Sequence, residues 1–331
     1  MKLNRRKFLC GMASTFAQSS PAEIRSRREW EVARERTLAG MEEAMGPLPA
    51  ERKTPLNIVR HAVEETPQFT RTRITYLGEP GDPVPAWLLV PRNLRRRAPA
   101  MLCLHQTIRI GKDEPVGLGG SVNLHYAKEL AERGFVCIAP DYPYLGENSF
   151  DPYKHGYASC TMKGIVNHMR AVDVLQSMRE VDGKRIGAIG HSLGGHNALF
   201  VAAFDRRIRA MVTSCGFTSA RKYYNGDLTG WSGVRYMPRI AERYGKDPAR
   251  VPFDFPALLV ALAPRPLFIN APLHDANFEV SGVRDCVAAA LPVYERVFRA
   301  GDRLVARYPD AKHDFPPQIR EEAWRFLARW V

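Results

Sequence analysis

Apolar residues recur along this chain with different spacings, and each spacing predicts a different kind of element. Between residues 23 and 45, Ile24, Trp30, Val32, Leu38 and Met41 stand among charged neighbours in a helix-like pattern that ends at Gly46-Pro47-Leu48-Pro49. This predicts a helical N-terminal extension over residues 21–66. Residues 70–77 and 85–90 read as two strands joined by a Gly/Pro/Asp turn at 78–82, an antiparallel entry to a sheet. Beyond them the apolar runs become short and continuous, at 100–104, 135–139, 185–189, 208–213, 267–270 and 304–308. A strand with one wet face would alternate; continuous apolarity is what burial on both faces requires.

Segments of helical length separate these runs, at 122–132, 161–180, 193–204, 283–300 and 317–330. Strand and helix in alternation specify parallel βαβ units with right-handed crossovers. The expected fold is therefore α/β, a doubly wound, mostly parallel sheet built from residues 67–331. Residues 217–257 break the rhythm with Tyr223, Tyr224, Trp231, Tyr236, Tyr244, Phe253 and Phe255 among several Gly and Pro. An insertion at the C-terminal end of a strand is expected to lie over the pocket as a small aromatic-rich cap.

Composition changes this picture little. The 331 residues are 45% hydrophobic, enough for one large core, and no apolar run reaches the ~18 residues of a membrane span. The net charge of +13 comes from scattered Lys and Arg with clusters at 5–7, 25–28 and 95–97. No nucleic-acid-binding motif accompanies it, so a solvated basic surface is expected and no nucleic-acid partner. Six cysteines show neither CxxC nor zinc-like spacing and read as buried, reduced residues, with no metal and no cofactor implied. Residues 1–20 hold Asn4-Arg5-Arg6-Lys7-Phe8-Leu9, which resembles a twin-arginine export signal but carries Asn4 where Ser or Thr is usual. Export is one expectation, a basic tail on a cytoplasmic protein the other.

The chemistry is concentrated at Gly190-His191-Ser192-Leu193-Gly194-Gly195, between the run 185–189 and the helix from 193. A strand turning this sharply into a helix needs small flanking residues and leaves the serine hydroxyl exposed at the top of the sheet, as a nucleophile elbow does. A serine needs a base to take its proton, and in this arrangement the base follows the serine in the chain. His196 reads as an ordinary helix residue, His274 directly precedes an acid candidate, and His313 follows the last strand. His313 is the expected base. The orienting acid belongs on the loop after the penultimate strand, which makes Asp275 the first candidate, with Asp302 and Asp310 as rivals. Two backbone N–H groups should receive the developing oxyanion: that of Leu193, and one from His105-Gln106-Thr107, with Thr107 preferred to Gln106. Two further features read more blandly. Gly117-Leu118-Gly119-Gly120 lacks the third glycine of a dinucleotide loop, so a non-catalytic nucleotide-binding protein is the weaker alternative to a flexible loop. Lys112-Asp113-Glu114 reads as an exposed charge run rather than a substrate contact.

With these residues placed, the chain resembles the α/β-hydrolase superfamily over roughly residues 69–331, and within it the dienelactone-hydrolase-like and acetyl-xylan-esterase-like bacterial esterases. The resemblance rests on Leu104-His105-Gln106-Thr107, Gly134-Phe135-Val136-Cys137-Ile138-Ala139-Pro140-Asp141-Tyr142, the elbow, and Phe268-Ile269-Asn270 through Asp275. It implies a serine esterase acting through an acyl-enzyme on a small-molecule ester, a short-acyl carbohydrate ester among the options. Ser192 stands where dienelactone hydrolases have cysteine, and Leu193 where glucuronoyl methylesterases have arginine. The same-fold alternative is an amide or peptide hydrolase, but prolyl-oligopeptidase relatives usually carry a large N-terminal propeller, and only about 68 residues precede the first predicted strand here.

Overall fold

A computed structural model describes residues 23–50 and 54–331. The twin-arginine-like residues 1–20 lie outside the described residues. Helix α1 (Arg27–Met45) opens on a capping box in which the Ser26 hydroxyl accepts the Glu29 amide while the Glu29 side chain returns to the Ser26 amide. Its buried face, Met41, Ala44 and Met45, packs onto the main body, and Trp30 Nε1 donates to the Val260 carbonyl at 2.8 Å. Complete burial of each methionine contributes on the order of 2 kcal/mol.

Nine strands form one sheet in the order β1-β2-β3-β5-β4-β6-β7-β8-β9. Strands β1 (Val59–Glu65), β2 (Phe69–Glu79) and β3 (Asp82–Pro91) are antiparallel, and β3 also runs antiparallel to β5 (Val136–Pro140). From β5 onward the sheet is parallel through β4 (Ala98–Leu104), β6 (Val181–His191), β7 (Ile208–Ser214), β8 (Leu267–Asn270) and β9 (Leu304–Arg307). Strands β4, β5 and β8 are buried at nearly every position, the continuous apolarity expected of strands covered on both faces. Helices α2 (Tyr126–Glu132), α3 (Cys160–Ser177), α4 (Leu193–Phe204), α5 (Arg239–Glu242), α6 (Phe255–Leu262) and α7 (Val280–Pro292) lie in the connections between strands, and α8 (Pro317–Trp330) follows β9.

Three details differ from the sequence reading. Residues 59–65 form edge strand β1, so the extension is not helical throughout; Val59 and Val63 are exposed, and a strand bare on both sides carries no hydrophobic signature. The helix expected over 283–300 ends as an α-helix at Pro292 and continues as a wider turn over 293–297, because proline cannot donate to the helical ladder. In the aromatic segment, Tyr223, Trp231, Tyr244, Phe253 and Phe255 are buried, whereas Tyr224 is exposed and Tyr236 half-buried. Most of its aromatics thus pack the segment onto the sheet side, Trp231 and Phe255 against one another and Phe255 also on Phe200 of α4. No helix among the described residues is long and apolar enough to cross a membrane.

Candidate active site

Ser192 sits between the end of β6 and the start of α4 with φ 53° and ψ −118°, a left-handed conformation that a serine holds only where its surroundings impose it. Its amide donates to the Ser214 carbonyl at the end of β7 (2.8 Å), and its carbonyl accepts the Gly195 and His196 amides. The flanking glycines are sterically required: a Cβ on Gly190 would overlap the Gly194 backbone, and one on Gly194 would overlap the Leu104 carbonyl on β4. Tight strand-to-helix packing therefore fixes the elbow and leaves the Ser192 side chain outside the first-turn bonds of α4.

His313 follows β9 and Asp275 follows β8, and the two meet. His313 Nδ1 lies 2.9 Å from both Asp275 carboxylate oxygens. The Asp275 side chain is buried while His313 keeps an edge to solvent. Burial alone would raise the Asp275 pKa, but the His313 hydrogen bond and charge, with the Asn277 and Phe278 amides on Oδ1, hold it below the usual carboxylate range. The His313 ring packs edge-on to His191, the residue before Ser192, with centroids 4.7 Å apart. Among the described residues the Ser192 hydroxyl has no hydrogen-bond partner, so its link to His313 is open in this conformation; such bonds commonly tighten only on substrate binding.

The rival acids point elsewhere. Asp310 pairs with His274 at the surface (2.8 Å), and Asp302 pairs with Arg329. His196 is buried on Trp231 with Nδ1 on the Gly216 carbonyl, the ordinary helix residue expected. Burial pushes its pKa down to about 3.

The loop after β4 is held by buried polar contacts. The Tyr142 amide donates to His105 Nε2 (3.0 Å), which leaves the ring proton on Nδ1 to donate to the Gln106 carbonyl (2.6 Å). The Gln106 side-chain amide donates to both Glu114 carboxylate oxygens, and Thr107 Oγ1 lies 2.9 Å from the Tyr236 hydroxyl of the aromatic segment. The Leu193 N–H heads α4, at the positive end of its dipole.

The exposed charge run expected at Lys112-Asp113-Glu114 is instead largely buried. Lys112 and Glu114 are each 1% exposed, Lys112 Nζ lies 3.1 Å from the buried Asp141 and 3.0 Å from Glu147, and Glu114 accepts Gln106 and the Ser121 amide. Their partners lie far along the chain or in a loop, where no local pattern reveals them. The Gly117–Gly120 run packs around Glu114, since a Cβ on Gly120 would strike its carboxylate. Sequence reasoning also missed His191, Cys215 and Asn270. Asn270 Nδ2 donates to the Asp314 carbonyl and to Ser214 Oγ, both at 2.9 Å, which ties the His313 loop to β7 and β8. One ligand atom each from His191, Cys215 and His313 lie within 4.8 Å of one another, a set of metal-ligating type.

A sequence profile describing the α/β hydrolase fold matches residues 115–238. A family 15 glucuronoyl esterase from Teredinibacter turnerae superimposes with a TM-score of 0.70 at 17% identity, over 92% of this chain and 85% of that one. This chain has the α/β-hydrolase fold. An acetyl xylan esterase from Paenibacillus sp. R4 shares that α/β-hydrolase architecture with a TM-score of 0.63 at 18% identity, over 95% and 98% of the two chains. In sequence, YtaP of Bacillus subtilis is 27% identical over 261 residues, 75% of this chain and 83% of YtaP. Ser192, Asp275 and His313 follow β6, β8 and β9 and so gather at the carboxyl edge of the mostly parallel sheet.

Proposed function

We propose that this chain is a serine esterase that hydrolyses carboxylic esters through an acyl-enzyme. The observation that carries the reading is Ser192 in a forced left-handed turn at the sheet's carboxyl edge, with a His313 imidazole packed on the adjacent His191 and its Nδ1 proton already committed to a buried carboxylate. Ser192 Oγ attacks the ester carbonyl while His313 Nε2 takes its proton. The tetrahedral oxyanion is received by the Leu193 and Thr107 N–H groups. Collapse of the intermediate breaks the bond to the alcohol, which leaves with the proton from His313. Water then repeats the sequence against the acyl-serine, and the acid is released.

Thr107 is preferred to Gln106 on a peptide-plane argument. The Gln106 carbonyl faces the His105 ring, and in a trans peptide the Thr107 N–H points the opposite way, toward the exposed side of the loop. For substrate we infer a short-acyl ester, with an acylated carbohydrate as the favoured alcohol side. Tyr224 and Tyr236 leave the packed aromatic segment, Tyr236 beside Thr107, where an aromatic face and a hydroxyl meet a sugar. The glucuronoyl and acetyl xylan esterases of like fold support the same class. The twin-arginine-like sequence supports export of the folded protein.

The test is a fluorophosphonate probe with Ser192→Ala beside the parent, together with a series of p-nitrophenyl esters. Labelling and hydrolysis should be confined to the parent, with acetate and butyrate cleaved faster than chains of about eight carbons or more, which a short-acyl pocket excludes. Labelling of both proteins refutes the nucleophile; a preference for long chains, or for peptides over all esters, refutes the substrate class.

A further inference from the structure

We infer that His191, Cys215 and His313 form a binding site for a soft divalent cation such as Zn2+, and that filling it blocks hydrolysis by claiming the imidazole next to Ser192. The cation-binding half stands on the cluster itself; the inhibitory half rests on the esterase reading above.

The three side chains come from different segments and converge on one point, with their ligand atoms within 4.8 Å of one another. Two imidazoles and a thiol are a ligand set that zinc takes readily. Around a tetrahedral cation with Zn–N near 2.1 Å and Zn–S near 2.3 Å, neighbouring ligand atoms sit about 3.4–3.6 Å apart, so the cluster closes by about 1 Å through side-chain rotation.

Each imidazole already has the supporting contact of a metal ligand. His313 Nδ1 is held by Asp275, which orients the ring and leaves Nε2 with a lone pair. His191 Nδ1 lies 2.9 Å from Ser214 Oγ, while its Nε2 is fully buried and has no hydrogen-bond partner. Ser214 Oγ already accepts Asn270 Nδ2, and in the tautomer in which it also accepts His191 Nδ1–H, His191 Nε2 carries an unpaired lone pair. A buried acceptor without a donor is costly, and a cation supplies what it lacks.

Charge favours the same occupant. On binding, the Cys215 S–H bond breaks, its proton leaves to solvent and the sulfur forms the bond to the cation. The thiolate and the Asp275 carboxylate behind His313 then offset both charges of the cation, so the occupied site is neutral in a buried place. Entry is along the exposed edge of His313. The fourth position of the tetrahedron remains for water.

The experiment uses chelator-treated full-length protein titrated with Zn2+ against a chromophoric chelator and, separately, with Co2+ followed by absorbance. Parent protein should bind one Zn2+, show a thiolate-to-cobalt charge-transfer band, and lose ester hydrolysis in proportion to occupancy. Cys215→Ser keeps a donor to the Asp314 carbonyl and should retain hydrolysis, lose the charge-transfer band, and weaken Zn2+ binding about tenfold or more. His191→Asn is the second variant, read by cation affinity alone and expected to weaken it similarly. A parent without the cobalt–thiolate band, or Zn2+ affinity unchanged in both variants, overturns the site. Hydrolysis that persists at full Zn2+ occupancy overturns the inhibition while leaving the esterase reading intact. Unchanged cobalt binding by a parent that cleaves no ester leaves the site standing and removes the esterase reading.

Discussion

Replacing Asp275 by Asn should lower kcat/KM by about four orders of magnitude, or about 5 kcal/mol of transition-state stabilisation. The structure dictates which way the new amide faces. Asp275 Oδ1 accepts the Asn277 and Phe278 amides at 2.8 and 3.1 Å, whereas Oδ2 takes neither amide and faces His313 Nδ1 at 2.9 Å. An asparagine keeps its oxygen on the two amides and turns its NH2 group toward His313 Nδ1. The reverse orientation would set NH2 against two N–H donors and strand both, at about 1–3 kcal/mol each. Facing a donor, Nδ1 becomes the acceptor and the ring proton moves to Nε2, where it can no longer take the proton of Ser192. The variant should fold, since size and backbone bonds are kept, and its thermal midpoint should stay near that of the parent. The assay is p-nitrophenyl acetate turnover with the rate of fluorophosphonate labelling alongside. Asp310→Asn, which only loosens the exposed pair with His274, is the control and should stay within about threefold. Retention of more than about a tenth of parental kcat/KM in Asp275→Asn, or an equal loss in Asp310→Asn, refutes the assignment.

Lys112→Met leaves Asp141 buried without its cation and should cost about 3 kcal/mol of stability in urea unfolding; a loss below about 1 kcal/mol shows that the pair is not desolvated in solution. Burial holds His168 and His196 near a pKa of about 3, against 6.5 for the free side chain, so below pH 6.5 the unfolded chain binds protons that the folded chain does not. Stability from these two groups is therefore complete above that pH and declines as pH falls toward 3, by about 2 kcal/mol each at pH 5; a thermal midpoint flat from about pH 7 to pH 5 contradicts this. Changing Arg5 and Arg6 together to Lys should retain the protein in the cytoplasm of a bacterial host that exports the parent, and an N-terminus beginning at Met1 on the native protein refutes export.

What the sequence made legible was whatever a short window determines. The elbow is local: strand, glycine, serine, glycine and helix lie within a dozen residues, and Gly190 answers to the Gly194 backbone that the turn itself brings close. The parallel strands announced themselves by continuous apolarity, and Asp275 and His313 by their positions after β8 and β9. Strand β1 escaped because an edge strand that buries nothing has no hydrophobic rhythm. Lys112 and Glu114 were misread as solvated because charge is normally exposed, and only tertiary structure brings Asp141, Glu147 and Gln106 to them. The cysteines carried no metal-like spacing, yet Cys215 ends beside two histidines from other segments. Spacing rules detect sites built on one hairpin or helix, not sites gathered from several strand ends.

Those buried polar contacts explain how a loop without regular structure can hold the proposed oxyanion donor in one place. After β4 the chain makes no ladder bonds, and its position is set by His105 against the Tyr142 amide, Gln106 against Glu114, and Lys112 against Asp141. Asp141 in turn accepts the Lys112 and Glu147 amides and is packed against Gly111 and Gly146, where a Cβ would overlap its carboxylate. A buried polar group tolerates few alternative partners, because each unmade bond costs more than a surface bond contributes. The loops after β4 and β5 are therefore locked to each other, while Asn270 and Ser214 join the loop carrying His313 to the ends of β7 and β8. Apolar packing fixes the sheet, but polar satisfaction at its carboxyl edge fixes where Ser192, His313 and Thr107 stand relative to one another. Apolar-to-apolar changes within the core should consequently trouble stability before activity, whereas loss of a single buried acceptor in these loops should disturb both together.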